Sequence, residues 1–157
     1  MAKEIERKFL IEELPSSVIE GKKACHILQG YITADPTGQQ VRLRSKNDQY
    51  SLTVKGKGQL EREEVEITLH TQQFEALWPL TEGRRIVKKR YEIPYHSLTI
   101  ELDIFEKSLT GLRVAEIEFD SVAVSEKLQV PDWFGKEVTE DARYTNSQLA
   151  QSQSIPT

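Results

Sequence analysis

From Glu4 onward the chain alternates: Glu4, Glu6 and Lys8 take every second position, with Ile5, Phe9 and Ile11 on the other parity. Successive side chains of an extended chain point to opposite faces, so residues 4–11 predict a strand with one charged and one apolar face. The pattern returns at 40–45, where Val41 and Leu43 oppose Arg42 and Arg44, and at 50–55, where Leu52 and Val54 oppose Thr53 and Lys55. In residues 62–69, Glu64, Glu66 and Thr68 oppose Val65, Ile67 and Leu69. Lys88 and Arg90 share a face of 84–93, Glu101 and Asp103 one of 100–105, and Glu116 and Glu118 one of 113–119. A less strictly alternating run, 24–33, completes eight predicted strands. Pro15, the turn-forming residues 35–38, Asn47-Asp48, the loop Gly56-Lys57-Gly58 and Pro94 punctuate them.

Helical spacing is short and sparse. Thr71 is the expected N-cap of a helix carrying Phe74, Leu77 and Trp78 on one side. A short helix is predicted over 121–128 and a last one over 141–151, with Tyr144 and Leu149 as its contacts. Residues 152–157 read as a disordered tail. There is no repeat and no linker, so 1–151 reads as one domain of α+β class, dominated by strands.

Summed over the strands, one parity carries eight carboxylates (Glu4, Glu6, Glu64, Glu66, Glu101, Asp103, Glu116, Glu118) and six cations (Lys8, Arg42, Arg44, Lys55, Lys88, Arg90). Two architectures fit. A sandwich would bury the apolar faces and leave the charges in water. A barrel would line its lumen with the charges and cover its apolar exterior with helices. A charged lumen is costly unless a ligand or mutual pairing compensates it. Guanidinium forks suit phosphate oxygens, and carboxylates suit the hard metal that bridges those oxygens.

Composition narrows the partners. The net charge of -4 argues against a nucleic-acid binder. One cysteine, Cys25, excludes an intramolecular disulfide and a Cys-rich metal site. His26, His70 and His96 form no metal motif, and Gly56-Lys57-Gly58 opens no phosphate-binding helix. No apolar run approaches membrane-spanning length, so no membrane association and a cytoplasmic location are expected.

In order along the chain, Glu4-x-Glu6-x-Lys8, Val41-Arg42-Leu43-Arg44, Leu52-Thr53-Val54-Lys55-Gly56, Arg62-x-Glu64-x-Glu66, Lys88-Lys89-Arg90-Tyr91, Ala115-Glu116-Ile117-Glu118 and the segment 138–146 are similar to the CYTH domain of the triphosphate tunnel metalloenzymes. The set spans Glu4 to about Ala150 and most resembles the small bacterial inorganic triphosphatases. The resemblance implies an eight-stranded antiparallel closed β-barrel, a tunnel with a few short helices outside. It implies metal-dependent hydrolysis of tripolyphosphate to pyrophosphate and phosphate, with Mg2+ or Mn2+ as cofactor. Lys8, Arg42, Arg44, Lys55, Lys88 and Arg90 would bind phosphate oxygens. Glu4, Glu6, Glu64, Glu66, Asp103, Glu116 and Glu118 would hold metal, with Lys8, Lys55, Lys88 and Tyr31 acting in catalysis. A small-molecule triphosphate is the expected partner, and a homodimer is compatible with it. The same family includes class IV-type adenylate cyclases and nucleoside or thiamine triphosphatases, and a non-catalytic polyphosphate-binding protein is the remaining alternative.

Overall fold

The computed structural model describes residues 5–34, 39–56 and 63–157. Eight strands form one sheet: β1 (Ile5–Leu10), β2 (Cys25–Ala34), β3 (Gln40–Lys46), β4 (Gln49–Lys55), β5 (Glu64–Leu69), β6 (Arg85–Tyr95), β7 (Leu98–Phe105) and β8 (Arg113–Phe119). Their order is β1-β8-β7-β6-β2-β3-β4-β5, and each pairing is antiparallel. Four short helices accompany them: α1 (Ser16–Ile19), α2 (Thr71–Leu77), α3 (Val122–Lys127) and α4 (Asn146–Ser152). The strand-dominated, eight-stranded antiparallel expectation holds.

Among the described residues β1 and β5 are the edges of the sheet and share no ladder, so hydrogen bonds do not close the wall there. The outer edge of β1 is covered instead by the chain at 135–139. Gly135 donates its N–H to the Leu10 carbonyl, Leu10 to Lys136 and Val138 to Lys8, all at 2.8 Å. The Lys8 amide donates to Thr139 Oγ1 at 3.0 Å. An edge that would otherwise invite another chain is thereby satisfied internally.

Local chemistry explains where boundaries depart from the sequence pattern. β6 runs through Pro94 to Tyr95, although Pro94 was expected to end it. Beyond Arg90 this strand has lost β2 and pairs with β7 alone, and a missing donor costs least on a strand with one free edge. His70 rather than Thr71 caps α2, its N–H donating to Gln73 Oε1 at 2.8 Å. The C-terminal helix splits into a 3-10 turn, Ala142–Tyr144, and α4, because Thr145 is extended and caps α4 by accepting from the Gln148 amide. Asn47 and Asp48 take positive φ (48° and 62°) in the tight turn between β3 and β4, which these residues tolerate. Residues 152–157, expected as a tail, make contacts: Gln153 donates to the Arg85 carbonyl at 2.8 Å and Arg143 to that of Thr157 at 2.9 Å.

Three apolar clusters follow from the strand parity. On the convex side, Ile100, Leu102, Ala115, Ile117 and Phe119 pack under Val18, Ile19, Trp133 and Phe134. Also convex, Leu43 and Leu69 pack under Phe74 of α2. Gly30 lets the turn after α2 approach β2, since a Cβ there would lie 2.6 Å from the buried Thr81 side chain. The third cluster lies on the concave, charged parity. Tyr31, Ile86, Phe105 and Val114 there receive Val138, Tyr144, Leu149 and Ala150 from the C-terminal segment. A bulge between Tyr31 and Thr33 turns Ala34 toward the same cluster. One end of the concave face is therefore stoppered by the chain's own C-terminal segment.

Candidate functional site

Above the stopper the concave face is polar, and the register sets its neighbours. Glu6 faces Glu118 and Lys8 faces Glu116 across β1 and β8. Glu101 faces Glu116 across β7 and β8, and Arg90 faces Asp103 across β6 and β7. Gln29 and Tyr31 face Arg44 and Arg42 across β2 and β3. Lys55 lies beside Glu64, and Thr53 beside Glu66, at the far edge. The strand pattern thus brings Glu6, Lys8, Arg42, Arg44, Lys88, Arg90, Asp103, Glu116 and Glu118 to one face. Glu64, Glu66 and Lys55 stand on the same face at the β5 edge. Glu4 and Arg62 lie outside the described residues, as do the turn 35–38 and part of the loop after Gly56.

Lys88 is fully buried, and its Nζ sits 2.8 Å from Asp103 Oδ2. Arg90 donates to both Asp103 oxygens, at 2.7 and 3.0 Å, and pairs with Glu101 at 2.6 Å. Asp103, expected among the metal carboxylates, thus faces two cations with both of its oxygens. Burial alone would raise its pKa, but Lys88 and Arg90 outweigh it and hold it at about 2. Burial pushes Lys88 below the ordinary lysine range against the pull of Asp103. For Arg90, burial opposes the charge, and the hydrogen bond and field of Asp103 more than offset it. Arg44 is lowered to about 10 by burial and by the neighbouring Arg42 and Arg90 charges.

The remaining groups complete the face. Arg42 donates to Thr53 Oγ1 at 3.3 Å, while its buried Nε has no hydrogen-bond partner among the described residues, an unspent donor in a site built of donors. Arg44 Nε donates to Gln29 Oε1 and Gln29 Nε2 to the Tyr31 hydroxyl, both at 2.8 Å. The C-terminal segment reaches two lysines: Lys8 Nζ lies 3.2 Å from the Tyr144 carbonyl and Lys88 Nζ 3.4 Å from Asn146 Oδ1. Away from the stopper, toward the β3–β4 turn, a cavity of about 1060 Å³ is lined by Arg44, Lys46, Ser51, Glu66 and Thr68 among others. Trp78 and Trp133 both belong to the convex clusters, Trp78 stacked on Phe74 and Trp133 edge-on to Phe134, so neither offers the concave face a ring platform.

Gln29, Asn146 and the Tyr144 carbonyl are absent from the set expected from sequence. Gln29 was legible in principle, because it shares the inward parity of Tyr31 on β2. Asn146 and Tyr144 lie in a segment whose approach to the sheet no alternation encodes.

The donor set is compatible with a hard divalent cation. Glu6 beside Glu118 and Glu101 beside Glu116 are like-charge cross-strand pairs, an arrangement that costs energy unless positive charge is near. Among the described residues no three His, Cys, Asp or Glu side chains form a metal group.

Comparison with known proteins agrees with the geometry. The CYTH domain matches residues 2–151. An inorganic triphosphatase of Nitrosomonas europaea is 44% identical over 151 residues, covering 95% of this chain and 97% of that protein. An inorganic triphosphatase of Acetivibrio thermocellus is 40% identical over 156 residues, covering 97% of this chain and 96% of that one. A solved inorganic triphosphatase structure superposes with a TM-score of 0.79 at 40% identity, covering 100% of this chain and 99% of the other. No helix among the described residues is long and apolar enough to cross a membrane. With one eight-stranded sheet, an inward row of paired charges and a family match over nearly its whole length, the chain belongs to the CYTH domain family.

Proposed function

We propose that the protein hydrolyses inorganic tripolyphosphate to pyrophosphate and orthophosphate on its concave face, with a divalent metal, Mg2+ or Mn2+, as cofactor. The observation that carries this is the cation row Lys8, Arg42, Arg44, Lys88 and Arg90 on one face, closed at one end by the C-terminal segment. A linear polyanion matches such a row along its length. Among the described residues no comparable group of donors and acceptors marks a base or sugar pocket, so a nucleoside would add size without adding recognition there. Glu6, Glu116 and Glu118, with Glu4, would hold the ion, and Glu64 and Glu66 would support a second one from the β5 edge. When bound, such an ion neutralises phosphate charge and polarises the scissile phosphoanhydride.

The chain's own groups align the phosphates. Arg42 and Arg44 fork onto phosphate oxygens, and Arg90, its fork held by Asp103, adds its charge and remaining N–H groups. Lys8, Lys55, Lys88 and the Tyr31 hydroxyl neutralise the charge that spreads over the transferred phosphoryl group. Asp103 acts one step back, keeping Lys88 charged in a buried place and Arg90 in a fixed plane. Alignment of water with a terminal phosphorus then lowers the barrier chiefly through lost entropy already spent on binding.

The deciding experiment is a substrate panel with each metal. The kcat/KM for tripolyphosphate is expected at least ~100-fold above that for ATP, a gap of about 2.7 kcal/mol. Comparable efficiency with ATP, or any cyclic AMP, would instead place the protein among nucleotide-processing enzymes, and tight binding without phosphate release would make it a binding protein. Glu6→Gln removes one negative ligand while leaving the convex packing intact. It is expected to lower kcat by about 100-fold or more with an unchanged thermal midpoint in the absence of ligand. Near-normal turnover at saturating Mg2+ would remove Glu6 from the metal set.

A further inference from the structure

Gln29 is fully buried, on the inward parity of β2, between Arg44 of β3 and Ile86 of β6. Its carboxamide makes two contacts of 2.8 Å, one with Arg44 Nε and one with the Tyr31 hydroxyl. A guanidinium has donors and no acceptor, so the amide oxygen must face Arg44. The amide NH2 is then forced toward Tyr31. In that contact the hydroxyl oxygen accepts. Arg42, also a donor only, stands opposite Tyr31 across β2 and β3. The Tyr31 oxygen therefore accepts from the amide, and its own proton is directed away from Gln29.

We infer that Gln29 is a positioning residue that fixes the Tyr31 hydroxyl as a hydrogen-bond donor to the bound phosphate chain while tethering Arg44 with the other end of the same amide. This rests on the reading of the concave face as a tripolyphosphate site. The chain of constraint runs from Arg44, whose chemistry orients the amide, to the amide, whose orientation sets the hydroxyl. A phosphate oxygen is an acceptor only, so a hydroxyl free to accept or donate would lose part of its population to the wrong polarity. The amide donor on the tyrosine oxygen reduces that loss.

Two substitutions at Gln29 separate this from simple packing. Gln29→Glu keeps the size and the acceptor for Arg44, but a carboxylate cannot donate, so the Tyr31 proton is drawn to it and away from substrate. Gln29→Met removes both hydrogen bonds yet leaves the tyrosine proton available. Polarity control predicts kcat in the order wild type, Gln29→Met, Gln29→Glu, the last about tenfold or more below Gln29→Met and close to Tyr31→Phe. A purely structural amide still puts wild type first but places Gln29→Glu above Gln29→Met, since Gln29→Met also orphans Arg44 Nε. The added negative charge is controlled by a double-mutant cycle: repulsion of substrate would persist when Gln29→Glu is made in a Tyr31→Phe background, whereas a polarity effect would vanish there to within about twofold. The measurement is steady-state hydrolysis of tripolyphosphate with Mg2+ at saturating substrate. A hydrolysing wild type with Gln29→Glu at or above Gln29→Met in kcat overturns the inference and leaves the proposed function standing. Should Gln29→Met fail to fold, an equal loss from Gln29→Glu in both Tyr31 backgrounds overturns it as well. A wild type that does not release phosphate from tripolyphosphate overturns the proposed function, and the role of Gln29 falls with it.

Discussion

Ending the chain at Glu140 is expected to abolish tripolyphosphate hydrolysis and to lower the thermal midpoint by more than ~10 °C, whereas ending it at Gln153 changes both only slightly. The longer deletion takes Tyr144, Leu149 and Ala150 out of the concave apolar cluster and exposes Tyr31, Ile86, Phe105 and Val114, which they cover. Burial of one large apolar side chain is worth about 1.5–3 kcal/mol, so the loss is on the order of 5 kcal/mol against a typical total of roughly 5–15. It also removes the Tyr144 carbonyl from Lys8 and the Asn146 carboxamide from Lys88, so both lysines lose a fixed acceptor. Cutting after Gln153 removes the half-exposed Ile155 and exposed contacts, those of Ser154 with Ser152 and of Thr157 with Arg143. Calorimetry and phosphate release on the two truncated proteins check this. Equal effects from both would show that the segment does not stopper the site. Leu149→Ala is the graded version, expected to cost about 2–5 kcal/mol through the cavity it leaves.

The stopper marks the limit of what alternation makes legible. Period-two patterning placed eight strands and sorted Glu6, Lys8, Arg42, Arg44, Lys88, Arg90, Glu116 and Glu118 onto one face, because a strand's parity is a local property of the chain. It did not show that Ile86, Phe105 and Val114, which share that parity, form an apolar floor at one end of the face. Their partners lie in a segment with no strand periodicity, brought there by the β1 edge contacts of 135–139. Likewise the pattern counts Asp103 as one more carboxylate. Only the cross-strand neighbours distinguish it, since Arg90 lies directly opposite and Lys88 two residues away along β6. The convex face is also less uniform than its sequence suggests. α2 covers Leu43 and Leu69, while Val65 and Ile67 on the edge strand stay exposed at 59% and 50%.

Asp103→Ala is expected to be the most damaging single change in the site, costing about 3–5 kcal/mol of stability, because it leaves a buried lysine with no counter-charge. Arg90 would keep Glu101 at 2.6 Å, but Lys88 would keep no carboxylate, holding the longer contact with Asn146 and the Phe105 ring 5.4 Å away. Asp103→Asn is the milder test, retaining an acceptor while deleting the charge, and its signature is a dependence on pH. In the wild type the folded carboxyl titrates at about 2 against an ordinary 3.8, so the unfolded chain binds the proton more readily. The stability this contributes, about 2 kcal/mol, is present above pH ~4 and disappears as pH falls from there toward ~2. The gap in unfolding free energy between wild type and Asp103→Asn should therefore be widest near neutrality and narrow on acidification. Lys88 gives the opposite sign: burial already lowers its pKa, and losing Asp103 lowers it further, so its buried charge destabilises the variant below that pKa. Raising the pH relieves this strain in the variant first, and the gap should narrow on the alkaline side too. Urea unfolding of both proteins between pH 3 and pH 10 reads this directly. A gap that stays constant across the range would mean that Asp103 does not hold the Lys88 charge, and that the pair is packing rather than electrostatics.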